Sequence, residues 1–209
     1  MLRRLFLKSS LAVAVTLGLA GSAYAADSEH RVDVVKIMSL TCPVCRAAEA
    51  HDPRIAQAVK EVGGKFVYAP LPTETEAVGG AKERVYYAAR DIDPAMAAAI
   101  KLSLYKGAQE MGIPLNGYMQ VYTWLSQDLP EYEPKYVELF AKAQDEKAHG
   151  SLTRAAGLAS SAGVSSLPGY VILVDGHVAS MADPTSVSGN SLLSLRDEVI
   201  ARVQKLSTH

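Results

Sequence analysis

The chain's two cysteines form one motif, Cys42-Pro43-Val44-Cys45, at the point where an apolar run gives way to a helical pattern. That placement constrains the fold more than any other feature. Residues 32–40, VDVVKIMSL, are dense in β-branched and apolar side chains with little polar alternation. This is the pattern of a central strand covered on both faces. Pro43 suits the first turn of a helix, where a backbone N–H would go unpaired anyway. A thiol at such a junction faces free N–H groups and the positive end of the helix dipole. Both favour the thiolate, which is the nucleophile. Cys45 follows one turn later on the same face. Two sulfurs so spaced can close a small ring and reopen it, which is dithiol–disulfide exchange.

The N-terminus carries an export pattern. Arg3, Arg4 and Lys8 precede an apolar run from Ser10 to Gly21, and Ala23-Tyr24-Ala25 supplies a small-x-small cleavage site. Residues 1–25 therefore read as a signal peptide cleaved after Ala25. Arg3-Arg4-Leu5-Phe6-Leu7-Lys8 also resembles a twin-arginine signal, but Leu2 stands where that pattern has Ser or Thr, so the Sec route is preferred. Either route leads out of the cytoplasm, to the periplasm in a bacterium, where disulfides persist. Cleavage of 25 residues from 209 leaves 184, enough for one domain or one domain with a large insertion. It leaves 18 basic against 22 acidic side chains, a net charge of −4, and no basic run that suits nucleic acid.

The predicted helix after the motif runs from Pro43 to about Val62, with a kink near Asp52 caused by Pro53 and an end at Gly63-Gly64. Residues 65–71 read as a second strand, parallel to the first. Five helical segments follow, at roughly 76–91, 94–111, 115–128, 133–149 and 151–162, broken by prolines and Gly112. Tyr86, Tyr105, Tyr122, Trp124, Tyr136 and Phe140 recur along them and suit a small core of their own. Strand character returns over Tyr170–Val174 and 177–181, joined by the hairpin signal Asp175-Gly176. Ser191–Leu206 closes the chain as an amphipathic helix.

This order resembles an α/β thioredoxin-like fold with an inserted helical domain. The expected units are the signal peptide 1–25, a thioredoxin-like first part 26–75, the insertion 76–163 and a second part 164–209. With Gly163-Val164-Ser165-Ser166-Leu167-Pro168 leading into a strand, the C-x-x-C motif and the export pattern, the chain resembles the DsbA-type periplasmic thiol:disulfide interchange proteins. The resemblance implies that Cys42 attacks, that Cys45 resolves the mixed disulfide, and that Pro43 and Val44 complete the active-site motif. It further implies a cis-proline at Pro168, with the backbone of Leu167 exposed for an extended substrate to pair with. Substrates would be unfolded or cysteine-containing exported proteins, and a membrane redox partner would reset the pair. The protein would act as a monomer without metal or organic cofactor.

Two positions depart from that pattern. Strongly oxidising relatives carry His where this chain has Val44, and valine can neither charge nor donate to a thiolate. Lys36 stands where many thioredoxin-fold proteins bury a carboxylate. A charged Lys36 would favour the thiolate, burial would push it toward neutrality, and the alternative is that it snorkels to solvent. Zinc would want four ligands, and His30, His51, His149, His177 and His209 show no ligand spacing. The leading reading is an oxidase. A reductase or isomerase, and a peptide-binding chaperone indifferent to its cysteines, stay open as alternatives.

Overall fold

Residues 31–72, 80–189 and 191–208 are described by a computed structural model of the chain. The expected signal peptide lies outside them. β1 (Val32–Met38) is the inner strand from which the rest is hung. It leads into α1 (Pro43–Ala48), then α2 (Asp52–Glu61) and β2 (Phe66–Pro70). The helix expected over 43–62 is therefore two helices, not one kinked helix. Pro53 is the reason, since it has no N–H and its ring crowds the carbonyl of Glu49 four residues back. The chain turns through Glu49–His51 and restarts. Gly64 allows the return to β2: a Cβ there would lie 1.7 Å from the carbonyl oxygen of Val32.

β1 and β2 run parallel, with Lys36 opposite Tyr68. β3 (Gly169–Val174) lies antiparallel on the other side of β1, and β4 (His177–Ala182) pairs with β3 at the edge. The order β2-β1-β3-β4 makes one mixed sheet. Asp175 and Gly176 join β3 to β4 with φ of +52° and +83°, the left-handed pair that a two-residue hairpin needs.

Between β2 and β3 lie α3 (Ala81–Ile92), α4 (Pro94–Tyr105), α5 (Tyr118–Asp128), α6 (Tyr136–Gln144) and α7 (Glu146–Ser161). A π-helical turn, Lys106–Glu110, extends α4, and a 3₁₀ stretch, Pro130–Lys135, precedes α6. The break expected near Gly150 falls instead at the extended Asp145, and α7 runs through the glycine. α8 (Leu192–Leu206) starts at Ser191, whose hydroxyl accepts from the N–H of Ser194.

Each face of the sheet covers one core. α2 and α8 enclose Val32, Val34, Ile55, Val59, Ile172, Leu195, Val199 and Val203. The opposite face of the sheet contributes Ile37, Ala69 and Val171 to a cluster shared with Val85, Ile100, Leu104, Tyr105, Trp124 and Tyr136. The insertion thus shares one cluster with this face of the sheet: Tyr87 and Tyr105 reach Pro70 and Met38, while Tyr118, Tyr122, Tyr136 and Phe140 pack edge-on against one another. Tyr122 departs from the expected stripe: it is exposed, with its ring edge-on to Tyr136 and Phe140. Among the described residues no helix is long and apolar enough to cross a membrane.

Candidate active site

Cys42 is the N-cap of α1. Its backbone is extended, with φ −87° and ψ 113°, and its Sγ accepts the N–H of Cys45 at 3.2 Å. Its own N–H donates to Ser39 O at 3.2 Å, which fixes the turn leaving β1. Pro43 occupies the first helical turn, as its missing N–H allows. Cys42 is half-buried, Val44 is 46% exposed and Cys45 is fully buried, so Cys42 is the thiol a partner can reach. Both cysteines are free thiols.

The two sulfurs see opposite electrostatics. The hydrogen bond from Cys45 lowers the Cys42 pKa to about 6, against the opposing effect of burial; the N–H groups of Cys45 and Val44 and the charge of Lys36 act in the same lowering direction. Cys45 is pushed far above the ordinary thiol range, because it is the donor to Cys42 and because it is buried. At neutral pH the pair therefore holds one thiolate, on Cys42, and one proton, on Cys45.

Beneath the pair Lys36 is fully buried and does not snorkel. Its Nζ lies 2.6 Å from Asp52 Oδ2 and donates to Cys45 O at 3.2 Å. Asp52 Oδ1 accepts from the hydroxyl of Tyr170 at 2.9 Å. The register places Tyr68 and Tyr170 on either side of Lys36, and the ammonium sits 5.6 and 5.8 Å from their ring centroids. The turn at Glu49 is tied to the insertion by Lys101, which is 2.6 Å from Glu49 and 3.6 Å from the centre of the Tyr68 ring. A buried ion pair thus stands where a lone carboxylate is common in thioredoxin-like folds, and its cation points at the active-site helix.

The loop before β3 reaches the same end of the sheet. Ile37 pairs with Gly169, so the preceding Pro168 stands at the C-terminal end of β1, where the turn to Cys42 begins. The Leu167–Pro168 peptide is cis, Pro168 is buried, and Leu167 packs on the core cluster that includes Cys45. Asp183, just after β4, holds this loop. Its Oδ2 accepts from Ser165 Oγ at 3.1 Å and the N–H of Ser166 at 3.2 Å, while Oδ1 accepts from Thr185 Oγ1 at 2.7 Å and from the N–H groups of Thr185 and Ser186 at 3.0 Å each. Burial opposes ionisation of Asp183, but these hydrogen bonds outweigh it and hold the carboxyl below its usual range.

The expected site residues Lys36, Cys42, Pro43, Val44, Cys45, Leu167 and Pro168 all lie at this end of the sheet. Asp52, Tyr170 and Asp183 were not anticipated. Asp183-Pro184-Thr185-Ser186 does carry the signature of an Asp-initiated turn. Asp52 had no signal beyond its place before Pro53. Among the described residues no group of three or more His, Cys, Asp or Glu side chains is arranged to hold a metal ion.

No family model and no curated relative matches the sequence. Solved structures do. The oxidoreductase NmDsbA1 from N. meningitidis is similar over 86% of each chain, with a TM-score of 0.62 and 13% identity. SrgA from Salmonella enterica serovar Typhimurium matches 83% of this chain and 91% of its own, with a TM-score of 0.60 and 16% identity. The disulfide oxidoreductase DsbA from Proteus mirabilis matches 84% and 88%, with a TM-score of 0.60 and 15% identity. With its four-stranded mixed sheet and helical insertion, the chain has the thioredoxin-like fold of the DsbA type.

Proposed function

We propose that this protein is an exported thiol:disulfide oxidoreductase that oxidises cysteine pairs in other exported proteins. The observation that carries the reading is the asymmetry of the motif: an accessible Cys42 lowered to about 6 and a buried Cys45 that keeps its proton. The names of two of the similar structures, the N. meningitidis and Proteus mirabilis oxidoreductases, agree with it.

In the oxidising direction the Cys42–Cys45 disulfide is the oxidant. A substrate thiolate attacks Cys42 Sγ, the Cys42–Cys45 bond breaks, and Cys45 leaves with the electron pair and takes up a proton. A second substrate thiolate then attacks the substrate sulfur of the mixed disulfide. Cys42 departs as the stabilised thiolate, the substrate holds a new disulfide, and two electrons remain on the enzyme. A disulfide-bearing membrane partner would accept those electrons. The low Cys42 pKa makes it a good leaving group in the second step, which favours oxidation of the substrate. A Proteus mirabilis DsbA variant has been solved with a non-covalently bound peptide, PWATCDS. In this chain the backbone of Leu167, in the loop before β3, would be the segment that pairs with an extended substrate.

The test is oxidation of a reduced, unfolded protein bearing one cysteine pair. The wild type should form its disulfide stoichiometrically, and Cys45→Ser, whose Cys42 thiolate can still attack the disulfide of the oxidised substrate, should stall there as the mixed disulfide. A reduction potential of the Cys42–Cys45 pair below that of glutathione would reassign the protein as a reductase. Export is tested separately by the N-terminus of the protein recovered from the periplasm, which should be Ala26.

A further inference from the structure

The π-helical turn Lys106–Glu110 reaches the active site through one side chain. The Nε2 of Gln109 donates to Leu40 O at 3.0 Å and to Cys42 O at 3.3 Å. Both protons of one amide are committed to the two carbonyls that flank Thr41, on the turn that carries Cys42. Cys42 O also accepts the N–H of Arg46 at 3.2 Å, the first rung of α1. Glu110, the next residue, forms an ion pair with Arg46. Two successive residues of the insertion therefore grip the turn and the helix that place the reactive sulfur.

The wide turn aims them there. A π turn adds one residue to the α-helical repeat, which rotates the following side chains by about 100° relative to a continued α-helix. The turn itself is anchored from behind. A Cβ on Gly107 would lie 2.8 Å from the indole Nε1 of Trp124, so only glycine allows this approach. That Nε1 donates to Ser103 O at 2.9 Å, and Lys106 is ion-paired with Asp128 at the end of α5. Gln109 is thus presented by a segment fixed to α5, not by a loose loop.

We infer that Gln109 is a positioning residue for the thiol chemistry: it ties the helical insertion to the Leu40–Cys42 turn and holds Cys42 Sγ on the N-terminal N–H groups of α1. A neutral donor is the group suited to this place. A carboxylate would repel both carbonyls and the neighbouring thiolate. Without Gln109 the turn keeps its Ser39–Cys42 hydrogen bond but loses its tie to the insertion, and Cys42 can leave the N–H of Cys45.

The role is read from the thiolate itself. The inference rests on the proposed thiol exchange only for its biological meaning, because the measurement needs no substrate. Ultraviolet absorbance of the Cys42 thiolate is titrated in the reduced full chain. Gln109→Met keeps the bulk and removes the donors; Gln109→Asn keeps the donors and withdraws them by one methylene. Each should raise the titration midpoint by about half a pH unit, a roughly threefold smaller thiolate-to-thiol ratio at pH 6. The reduction potential should fall with it. Gln57→Met, on the exposed face of α2, should leave both unchanged. A wild-type midpoint in either folded Gln109 variant overturns the inference, even if that variant is less stable, since lost stability alone does not move the thiolate. If both variants shift as expected but the wild type oxidises no protein substrate, the proposed function fails and the positioning role stands.

Discussion

The two thiols sit three residues apart and face opposite surroundings. Above Cys42 the rim is neutral and open: backbone N–H groups, the exposed Val44 and the amide of Gln109. Below Cys45 the floor is charged and closed: Lys36, Asp52 and Tyr170, all buried. The difference separates two kinds of control. A rim residue can change the thiolate without touching the fold. A floor residue cannot, because each charge there is balanced by a neighbour with no access to water.

The largest effect comes from deleting the rim's one reactive atom. Cys42→Ser should abolish disulfide transfer, whereas Cys45→Ser should still attack the disulfide of an oxidised substrate and stall as the mixed disulfide. Mass spectrometry after iodoacetamide treatment of the reduced wild type below neutral pH should find the label on Cys42. Label on Cys45 would invert the comparison.

Next in size is the floor. Lys36→Met strands the Asp52 carboxylate in the core and should cost about 3–5 kcal/mol in urea unfolding. It should also raise the Cys42 midpoint, since the Lys36 charge lowers it. Replacing both partners, Lys36→Met with Asp52→Leu, removes the stranded charge and should be less destabilising than Lys36→Met alone. A double variant as damaged as the sum of its parts would mean that the pair is not a unit.

The floor was also the part least legible in the sequence. The strand of β1, the junction at Cys42, the Asp175-Gly176 hairpin and α8 follow from residues next to one another, and local pattern carries them. The fate of Lys36 does not. It depends on Asp52, 16 residues away, and on Tyr170, which reaches Asp52 across 118 residues. Pro53 announced a disturbance in the helix, but not that the break would turn Asp52 inward. Gln109 is a common helix residue, and only the π turn gives it a direction. The insertion's aromatic stripe indicates that its helices pack together; that their core runs on into the face of the sheet is not in the local pattern.

A third effect concerns Asp183, which fixes the proline loop as Gln109 fixes the cysteine turn. Its carboxyl lies below the usual range in the fold, so the folded state releases this proton more readily than the unfolded chain does. The stabilisation is fully present above about pH 4 and is lost as pH falls through the lowered folded value. Asp183→Ala should cost about 2–3 kcal/mol at pH 7. The gap to the wild type should narrow in acid, measured as urea midpoints from pH 7 down to pH 3. A gap independent of pH would mean that Asp183 acts through packing alone.

The smallest effect tests the rim directly. Val44 is exposed and lies between the cysteines, so Val44→His disturbs no core contact. A histidine there can donate to the Cys42 thiolate, and as a cation it attracts it. The thiolate exists only in the reduced form, so the reduced form gains stability relative to the disulfide. The reduction potential should rise, by about 30 mV for each 1.4 kcal/mol gained. The Cys42 midpoint should fall below about 6 in the same variant. The two shifts must run in opposite directions, because both report the same stabilisation of one anion. An unchanged potential would mean that the N–H groups of α1 and the charge of Lys36 already saturate the thiolate. The backbone of the rim and the cation of the floor, not the side chain between the cysteines, would then set the couple.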